Sequence, residues 1–476
     1  MRLEIPLAGN EGNARSRTES SQVTLNLYPE ITKDGKNPVP LYRIPGLLPK
    51  VELGSGVCRS HGALFDDKIF FVSGSGLYSI DINEAVVLIG NLNTTSGRVS
   101  MIEGQTYLML VDGTNGYTYD GTTFAEITDT DFPTEQNPAL EVDHVTYKDG
   151  FFIVVQKNSG NFYKSASENP TSWGGLEFEN ASGRPDNIVT VHASDDFLYL
   201  LGNYSSESWY NNGGAVFPFA RAQGGVSSWG IHAEWSASEG DNALFFLGQI
   251  REGGLGVVKT VGSRVEVIST PEIDSAMSKL SATKNAFGFC YKQDSHHFYV
   301  LTFPQGRKTF VFDITTGIWS TRESKTDNYQ HDRWRPEGHG YFNNKHYVGS
   351  FLDGQFYTLD LDTFTDDGNY INCQRTTAPV HKNHTALTFD EVTLDLEGGF
   401  GSQTDQATIM MRYSDDGGKT WSNELQAETG LLGQYGYKAR WYQLGDSYER
   451  MFEFRTTDSF FTAWLACYAN VRQSAF

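Results

Sequence analysis

The chain of 476 residues carries 58 acidic and 37 basic side chains, which give it a formal net charge of −21. This balance excludes tight wrapping of nucleic acid, which needs cationic contacts to phosphates. A channel with an acidic wall could still surround DNA without binding it tightly. The alternative explanation is solubility, because surplus acidic side chains at the surface keep a large protein in solution. The composition, 39% hydrophobic and 20% charged, is that of an ordered globular chain. Without a long apolar run or a signal-peptide core, we expect cytoplasmic synthesis and no membrane insertion.

Residues 1–57 are predicted to form an irregular N-terminal segment. They are rich in polar residues, glycine and proline, with short apolar islands at VTLNLYPE and LYRIPGLL. Because such a segment has too little apolar surface to fold alone, we expect it to pack on the rest of the chain or on a neighbouring subunit.

Residues 58–374 contain one phrase seven times: an aromatic and β-branched run, a glycine-bearing or polar turn, and a second such run. Successive copies begin 38 to 54 residues apart, at Lys68, Thr106, Gly150, Asp196, Ala243, His297 and Lys345. A period in this range with strand-like content is typical of β-propeller blades, which must stack around an axis to bury their apolar faces. The pattern predicts an all-β protein with six or seven blades. The count stays open because one blade could be shared with the N-terminal segment.

Residues 375–476 show a different pattern. The runs ALTFDEVTLDLE and QATIMMRY alternate apolar and polar side chains, and several aromatic runs follow them. We interpret this region as a compact antiparallel β-sandwich. The four cysteines lie far apart without a CxxC pair, so we expect isolated thiols and neither a zinc site nor a disulfide.

The most specific local motif lies in this last region. The segment SDDGGKTW fits the Asp-box pattern SxDxGxTW, with its defining side chains at Ser414, Asp416, Gly418, Thr420 and Trp421. The polar side chains of such a motif satisfy backbone groups of a hairpin turn, and the tryptophan anchors the turn on the sheet. The motif therefore predicts a structural turn, because Asp-boxes in sialidases lie away from the catalytic site.

A second fragment suggests an enzyme as the alternative. The tetrapeptide YRIP at residues 42–45 is similar to the sialidase motif whose arginine, here Arg43, would grip a carboxylate. Arg59 and Asp66 lie downstream at distances that fit further catalytic roles. However, Asp66 lies between two strand-like runs, where a hairpin turn explains it without catalysis.

The segment HDRWRP places Trp334 between Arg333 and Arg335. Both residue types are favoured at protein interfaces, so these three residues and Arg43 are the predicted interface residues. A tryptophan folded back on its own blade is an equally good interpretation. The carboxylates of Asp360, Asp362, Asp366 and Asp367 do not have EF-hand spacing and indicate a solvated turn. No catalytic residue, cofactor-binding residue or metal ligand is predicted.

Over nearly its whole length the chain resembles the packaged-DNA stabilisation proteins, or tail hub proteins, of short-tailed bacteriophages. The similar stretches are NLYPE followed by LYRIPGL, the strand SGRVSMIEG at residues 96–104, and the run YSDDGGKTWSNE followed by GQYGYKARWYQLGDSYERMFEFRTT. These stretches occur in the same order along the chain as in the family, and this common order carries the resemblance. The chain departs from it in carrying a full Asp-box, of which the family has a looser version.

The resemblance implies a structural component of the virion tail, assembled in the host cytoplasm, without catalytic residues or cofactors. It implies a hexameric ring, or nozzle, beneath the portal and its adaptor, which closes the channel and retains packaged DNA until ejection. Further implied partners are a tailspike or tail fibre, a tail needle or tip, and double-stranded DNA that passes without sequence-specific binding. The alternatives are a sialidase-type glycoside hydrolase and a glycan-binding propeller, because propellers host all three functions.

Overall fold

The computed structural model describes residues 1–13, 21–31, 39–137, 140–214, 217–325, 331–382, 385–399 and 406–473. These residues form an all-β structure, as predicted. Helical turns occur at α1 (Pro133–Gln136), at α2 (Pro271–Ser278) and in a short 3-10 turn (Thr283–Asn285). None of the helices in these described ranges is long and apolar enough to cross a membrane.

The N-terminal segment contains strands, although its sequence predicts an irregular conformation. The strands are β1 (Arg2–Ile5), β2 (Gly12–Asn13), β3 (Ser21–Leu25), β4 (Leu27–Pro29), β5 (Leu41–Arg43) and β6 (Gly46–Glu52). All six strands are short. β2 and β4 pair with the neighbouring strands β3 and β5, whereas β1, β3, β5 and β6 pair with strands far away in the sequence. This long-range pairing explains why local sequence patterns do not reveal them.

The seven sequence repeats lie in seven successive sheets, here called repeat sheets 1 to 7. Sheet 1 contains β7 (Ala63–Phe65), β8 (Lys68–Ser73), β9 (Gly76–Ile80) and β10 (Val86–Asn91). Sheet 2 contains β11 (Ser100–Glu103), β12 (Leu108–Val111), β13 (Gly116–Tyr119) and β14 (Phe124–Glu126). Sheet 3 contains β15 (Val145–Lys148), β16 (Phe151–Val155), β17 (Asn161–Ala166) and β18 (Asn169–Asn180). Sheet 4 contains β19 (Ile188–Ala193), β20 (Leu198–Gly202), β21 (Ser206–Asn211) and β22 (Phe219–Ser227).

The remaining repeat sheets contain additional strands. Sheet 5 contains β23 (Gly230–Ile231), β24 (Ser238–Gly240), β25 (Ala243–Gln249), β26 (Leu255–Val261) and β27 (Arg264–Val267). Sheet 6 contains β28 (Phe287–Gln293), β29 (His296–Phe303), β30 (Lys308–Asp313) and β31 (Ile318–Lys325), with β32 (His331–Arg333) paired to β31. Sheet 7 contains β33 (Pro336–Phe342), β34 (Lys345–Ser350) and β35 (Gln355–Asp360), and it is extended by β6, β36 (Thr365–Asp366) and β37 (Asn369–Tyr370).

Each repeat forms the two middle strands of its sheet, and the first strands of neighbouring sheets lie against one another around an axis. Apolar side chains from successive sheets interlock, so that separate hydrophobic clusters fill the spaces between sheets 1 and 2, 2 and 3, 3 and 4, 4 and 5, and 5 and 6. This arrangement places the last strand of each sheet at the outer rim.

The circle closes between sheets 7 and 1. A cluster that includes Ile69 and Phe71 of sheet 1 and Tyr347 and Phe356 of sheet 7 fills this space. The outer strand of sheet 7 is β6, which pairs antiparallel with β35 from Asp360↔Gly46 to Gln355↔Glu52. The N-terminal segment therefore supplies the strand that completes the last sheet.

The C-terminal region adds eight strands to this arrangement in the described part of the chain. They are β38 (Cys373–Thr376), β39 (Val380–His381), β40 (Leu387–Glu397), β41 (Thr408–Ser414), β42 (Leu425–Glu428), β43 (Lys438–Ser447), β44 (Glu449–Thr456) and β45 (Ala463–Gln473). One sheet has the order β4-β5-β45-β40-β43, with β1 paired to β45. The other has the order β38-β44-β41-β42 and continues through β3 into repeat sheet 6. The two packed sheets give this region a sandwich arrangement.

The sandwich and the repeat sheets share one hydrophobic core. The cluster that contains Phe452 and Trp464 of the sandwich also contains Phe289 of sheet 6 and Val348 of sheet 7. Between them lie Leu27 and other residues of the N-terminal segment. Because the apolar contacts are continuous, we expect the two parts to unfold together.

Asn26 connects the N-terminal segment to repeat sheet 6 and to the residue that precedes β38 by hydrogen bonds. Its side-chain nitrogen donates to the carbonyl oxygens of Glu323 at 3.2 Å and Asn372 at 3.0 Å, and its Oδ1 accepts from the backbone N–H of Glu323 at 3.0 Å. The residue is fully buried and has a φ of 53°, in the left-handed region that asparagine tolerates better than most residues.

Replacing Asn26 by alanine removes these side-chain bonds, leaves buried carbonyls without their partner and strains the backbone. We expect Asn26→Ala to lower the free energy of unfolding by about 2–4 kcal/mol. Urea unfolding followed by tryptophan fluorescence measures this change. The exposed Asn83, replaced by alanine, is the control and should leave the midpoint nearly unchanged. A loss below about 0.5 kcal/mol for Asn26→Ala, the size of an ordinary surface substitution, would show that the junction does not depend on Asn26.

Candidate functional site

The Asp-box residues form a turn between β41 and β42. The Oγ atom of Ser414 donates to Asp416 at 2.8 Å and accepts from the backbone N–H of Gly418 at 2.8 Å. The carboxylate of Asp416 accepts from the backbone N–H groups of Lys419 and Thr420, each at 2.9 Å, and from the Thr420 hydroxyl at 2.7 Å. Gly417 and Gly418 have φ values of 71° and 81°, which side chains rarely adopt.

These bonds account for the polar groups of the motif. Backbone N–H donors, first that of Thr420, hold the pKa of the Asp416 carboxyl well below its ordinary value. Trp421 is half-buried and lies 4.8 Å from the guanidinium carbon of Arg412, measured to the ring centroid. The geometry supports a role in stabilising the turn.

Arg333, Trp334 and Arg335, predicted as interface residues, lie inside the chain. Trp334 is 1% exposed and belongs to the core shared by the sandwich and repeat sheets 6 and 7. Arg335 is also buried, between Asp366 at 3.4 Å and Asp367 at 3.0 Å. This burial corrects the interface prediction for these side chains. Trp334 instead packs beside Phe289 and Arg322 of repeat sheet 6, which agrees with the other interpretation of the sequence, a tryptophan folded back on its own blade.

Arg43 binds backbone carbonyl groups. Its guanidinium donates to the carbonyl oxygens of Asp458 at 2.5 Å, Phe460 at 2.6 Å and Phe364 at 3.3 Å. Arg43 is buried, so it is not available to a partner at the surface. It joins β5 to the loop that follows β44 and to the segment between β35 and β36.

Arg59 and Asp66, the other residues of the sialidase hypothesis, have similar local roles. The Arg59 guanidinium donates to the carbonyl oxygens of Gly74, Thr94, Gly97 and Ser96 and to the Thr94 hydroxyl, all within 2.8 Å. Asp66 has a φ of 48°, lies in the turn between β7 and β8, and forms an ion pair with Lys68 at 3.6 Å. An arginine that binds a substrate carboxylate needs free N–H donors. Those of Arg59 already donate to backbone carbonyl oxygens.

The carboxylates at the end of β35 and in β36 also have local partners. Asp366 pairs with Arg335, and Asp360 accepts from the backbone of Asp362 and from the Thr363 hydroxyl. Within the described ranges, no group of three or more histidine, cysteine or acidic residues is arranged to hold a metal ion. The thiols of Cys58, Cys290, Cys373 and Cys467 are free there as well.

Sequence reasoning missed a charged group close to the axis of the repeat sheets. Arg98 precedes β11 and donates to the Glu337 carboxylate at 2.5 Å, and Arg333 lies 2.6 Å from the other carboxylate oxygen. The Arg98 guanidinium carbon is 3.7 Å from the ring centroid of Phe287. The group therefore links the entry to repeat sheet 2 with β32 of sheet 6 and β33 of sheet 7. In the sequence, Arg98 stands out only as part of the SGRVSMIEG stretch.

A second unanticipated cation is the fully buried Arg322. Its guanidinium carbon lies 4.5 Å from the ring centroid of Trp334, 4.9 Å from that of Phe298 and 5.4 Å from that of Tyr291. No carboxylate forms an ion pair with Arg322 in the part of the chain that the structure describes. Aromatic rings therefore provide its electrostatic stabilisation, which is strongest for a desolvated cation.

Several histidines lie close to the axis at the first strands of the sheets. Burial lowers the pKa of His61 to about 3 and that of His192 to about 4, and it brings those of His144 and His339 well below the ordinary value. The His144 ring packs on Trp235 with 4.1 Å between the ring centroids. These imidazoles are neutral at pH 7, so they contribute packing and hydrogen bonds rather than charge.

An open cavity of about 450 Å³ lies between repeat sheets 5, 6 and 7. Its wall includes Cys290, Tyr291, Ile314, His339 and His346, and Glu239 and Asp241 lie at one side. His339 and His346 share a hydrogen bond of 3.0 Å between ring nitrogens. Burial raises the pKa of the Cys290 thiol to about 12, which makes it a poor nucleophile.

Two family models match the chain. One, described as "Bacteriophage P22 Gp10, beta-propeller", matches residues 3–364, and the other, described as "Bacteriophage P22 Gp10, beta-sandwich", matches residues 372–472. They confirm the predicted order of a β-propeller followed by a β-sandwich, and also the resemblance inferred from the sequence. A comparison with curated proteins finds no match.

Solved structures similar to the chain include proteins of diverse function. Virginiamycin B lyase from Staphylococcus aureus is 12% identical, with coverage of 66% of this chain and 97% of the lyase and a TM-score of 0.44. The Pan2 WD40 domain of Neurospora crassa is 7% identical, with coverage of 69% and 97% and a TM-score of 0.42. An exo-β-1,3-galactanase from Phanerochaete chrysosporium is 8% identical, with coverage of 78% and 95% and a TM-score of 0.30. Likenesses this low carry no functional argument.

The buried histidines predict acid sensitivity. Their folded-state pKa values lie below those of the unfolded chain, so the unfolded state binds more protons as the pH falls below about 6.5. The contribution of these histidines to the free energy of unfolding should therefore decrease from pH 7 to pH 5. Urea titrations at a series of pH values give the dependence of the free energy of unfolding on pH. His144→Gln should make the slope of this dependence between pH 7 and pH 5 smaller, and the exposed His381→Gln should not. An unchanged slope in His144→Gln would contradict a neutral buried imidazole at this position.

Arg43 provides a test that separates structure from catalysis. Because Arg43→Ala leaves buried carbonyl groups without their charged donor, we expect the free energy of unfolding to fall by about 2–4 kcal/mol. We expect no turnover of a fluorogenic sialoside by the unaltered chain. Turnover that disappears in Arg43→Ala, while Arg43→Lys and the exposed Lys419→Ala retain it, would instead establish the glycosidase alternative.

Proposed function

Because the chain belongs to the bacteriophage P22 Gp10 family, we propose that it is a structural protein of a short phage tail. In this proposal, six copies form a ring, or nozzle, below the portal and its adaptor. The ring closes the channel, retains the packaged DNA and passes it at ejection. The observation that carries the proposal is the family match, which extends over both the propeller and the sandwich.

The charge of the chain supports a conduit. A ring of subunits that each carry a formal charge of −21 repels the phosphate backbone of DNA. Such a wall keeps the double strand mobile, because binding to DNA depends on cations that neutralise phosphates. Retention in this proposal is steric, and DNA passes without sequence-specific contacts.

The shared core supports a role as a rigid platform. The sheet that continues from repeat sheet 6 through β3 into the sandwich resists movement between the two parts, because it would have to break ladder hydrogen bonds. A stiff subunit suits a ring under pressure from packaged DNA. We propose that its surfaces hold the adaptor, a tailspike or tail fibre, and a tail needle or tip.

The contacts of Arg43 and Arg59 do not favour the sialidase alternative. A glycosidase of that type needs arginine donors that converge on the substrate carboxylate. Here both guanidinium groups are buried and donate to backbone carbonyl oxygens.

Electron microscopy of virions decorated with an antibody against this chain tests the proposal. We expect label on the tail directly below the head, and six-fold averages of isolated tails should show one copy of the chain in each unit. Purified chain should show no binding to double-stranded DNA at physiological salt. Label on the capsid, or tight salt-sensitive binding to DNA, would contradict the proposed role.

A further inference from the structure

The turns that join the first strand of a repeat sheet to its second (in sheet 5, β24 to β25) lie together on one side of the propeller. Lys148, at the turn of sheet 3, donates to the carbonyl oxygen of Ser194 in the turn of sheet 4 at 2.8 Å. The turns of sheets 1, 2 and 7 line one groove, with Asp67, Gln105 and Phe342 among its residues. This side of the propeller, here called the turn side, is therefore a surface of neighbouring turns.

Acidic residues are concentrated on the turn side. The turns of sheets 1, 3, 4, 5 and 6 contain aspartate, namely Asp66, Asp67, Asp149, Asp195, Asp196, Asp241 and Asp294. The turns between second and third strands, on the opposite side, carry cations such as Lys157, Arg251 and Arg307 as well as acids. Because a surface lined by one sign of charge attracts the opposite sign, the turn side favours a cationic ligand.

The open cavity of about 450 Å³ between repeat sheets 5, 6 and 7 lies on the turn side, and one of its walls consists of ring side chains. Tyr341 is 49% exposed, and its ring centroid lies 4.7 Å from that of His346, which is hydrogen-bonded to His339. Burial lowers the pKa of both His339 and His346, so these imidazoles are neutral at pH 7. The wall therefore presents aromatic faces that a cation can approach.

The other side of the cavity carries two carboxylates, those of Glu239 and Asp241, with little positive charge beside them. Among the described residues, no lysine or arginine forms an ion pair with either of them, and the nitrogen nearest to Asp241 belongs to the His297 ring at 3.8 Å. Desolvation and then the neighbouring Asp195 raise the pKa of the Glu239 carboxyl, as expected for an acid without a close counter-charge. Lys292 also lines the cavity, but it is exposed and its ammonium group can turn to water. A cation from a ligand would supply the missing charge.

An arginine side chain suits this combination of groups better than a compact cation does. Its planar guanidinium stacks on aromatic rings and donates to carboxylates in a fork, and its methylene groups pack on apolar side chains such as Ile314 in the wall. The acidic turns also continue beyond the cavity, at Asp195 and Asp294. Several cations spaced along one peptide would find acidic partners there, whereas a single small cation would leave them unused.

We propose that this cavity binds an arginine side chain from a basic segment of another protein. The rings of Tyr341 and His346 contact the face of the guanidinium, and the carboxylates of Glu239 and Asp241 accept its hydrogen bonds. The acidic turns around the cavity attract the remaining cations of the segment. One copy of the chain contains the whole site, so binding does not require the ring of the proposed function.

Fluorescence anisotropy of a labelled hexa-arginine peptide, titrated with the purified full chain at physiological salt, tests the site. The double variant Glu239→Gln with Asp241→Asn should bind the peptide about ten-fold more weakly than the unaltered chain. The matched control is Glu252→Gln with Asp353→Asn, which removes the same two kinds of charge from exposed turns on the opposite side. Because those charges are distant from the cavity and screened by salt, the control should change the affinity by less than about two-fold. No binding to the unaltered chain, or equal weakening in the two double variants, would overturn the inference and leave the tail function intact.

Substitutions of Tyr341 test the aromatic wall. Tyr341→Phe keeps the ring and should retain the affinity, whereas Tyr341→Ala should lower it by about three- to five-fold, the size of a partly exposed cation–π contact. Thermal melting at the temperature of the unaltered chain shows that each variant is folded. Full affinity in a folded Tyr341→Ala would contradict the proposed contact. Spermine should displace the peptide only at a large excess, and displacement at equal concentration would show that a free polyamine is the ligand instead.

Discussion

The antiparallel pairing of β6 with β35 is the interaction on which the remaining structure depends. It joins residues 46–52 to residues 355–360, and so the last repeat sheet is complete only when both ends of the propeller sequence are present. Without β6, the outer edge of β35 would be free and the closing cluster between sheets 7 and 1 would lose Leu53, which follows directly after β6. Because this contact spans about three hundred residues, closing the loop between the two strands costs conformational entropy, and we expect the pair to form late in folding.

The same N-terminal segment makes the propeller and the sandwich one body. Before β6 reaches the propeller, β3 lies between β31 and β38, while β4 and β5 extend the other sandwich sheet. The bonds of Asn26 and Arg43 are located at these crossings, where a buried polar side chain can satisfy carbonyl oxygens from separate parts of the chain. The continuity between the propeller and the sandwich therefore originates in a segment with little regular pattern of its own.

The sequence predicts the repeats well because each one is a local object: two apolar runs and a turn, with a hairpin as the immediate product. It predicts the Asp-box turn for the same reason, since Ser414 and Asp416 bind groups within four residues. It fails for Arg333, Trp334 and Arg335 because their environment is assembled from distant residues. A short polar sequence around a tryptophan is typical of an exposed loop. Here Arg335 is instead paired with Asp366 and Asp367, and Trp334 packs beside Arg322.

A closed propeller has few unpaired strands except at its rim, and the rim shows how this chain controls association. Charged residues lie on β14, β18, β22 and β27, and the chain covers β31 and β35 with its own strands. An aliphatic edge such as β10 costs solubility in an isolated chain, and nothing in its packing against β9 requires three exposed aliphatic residues in a row.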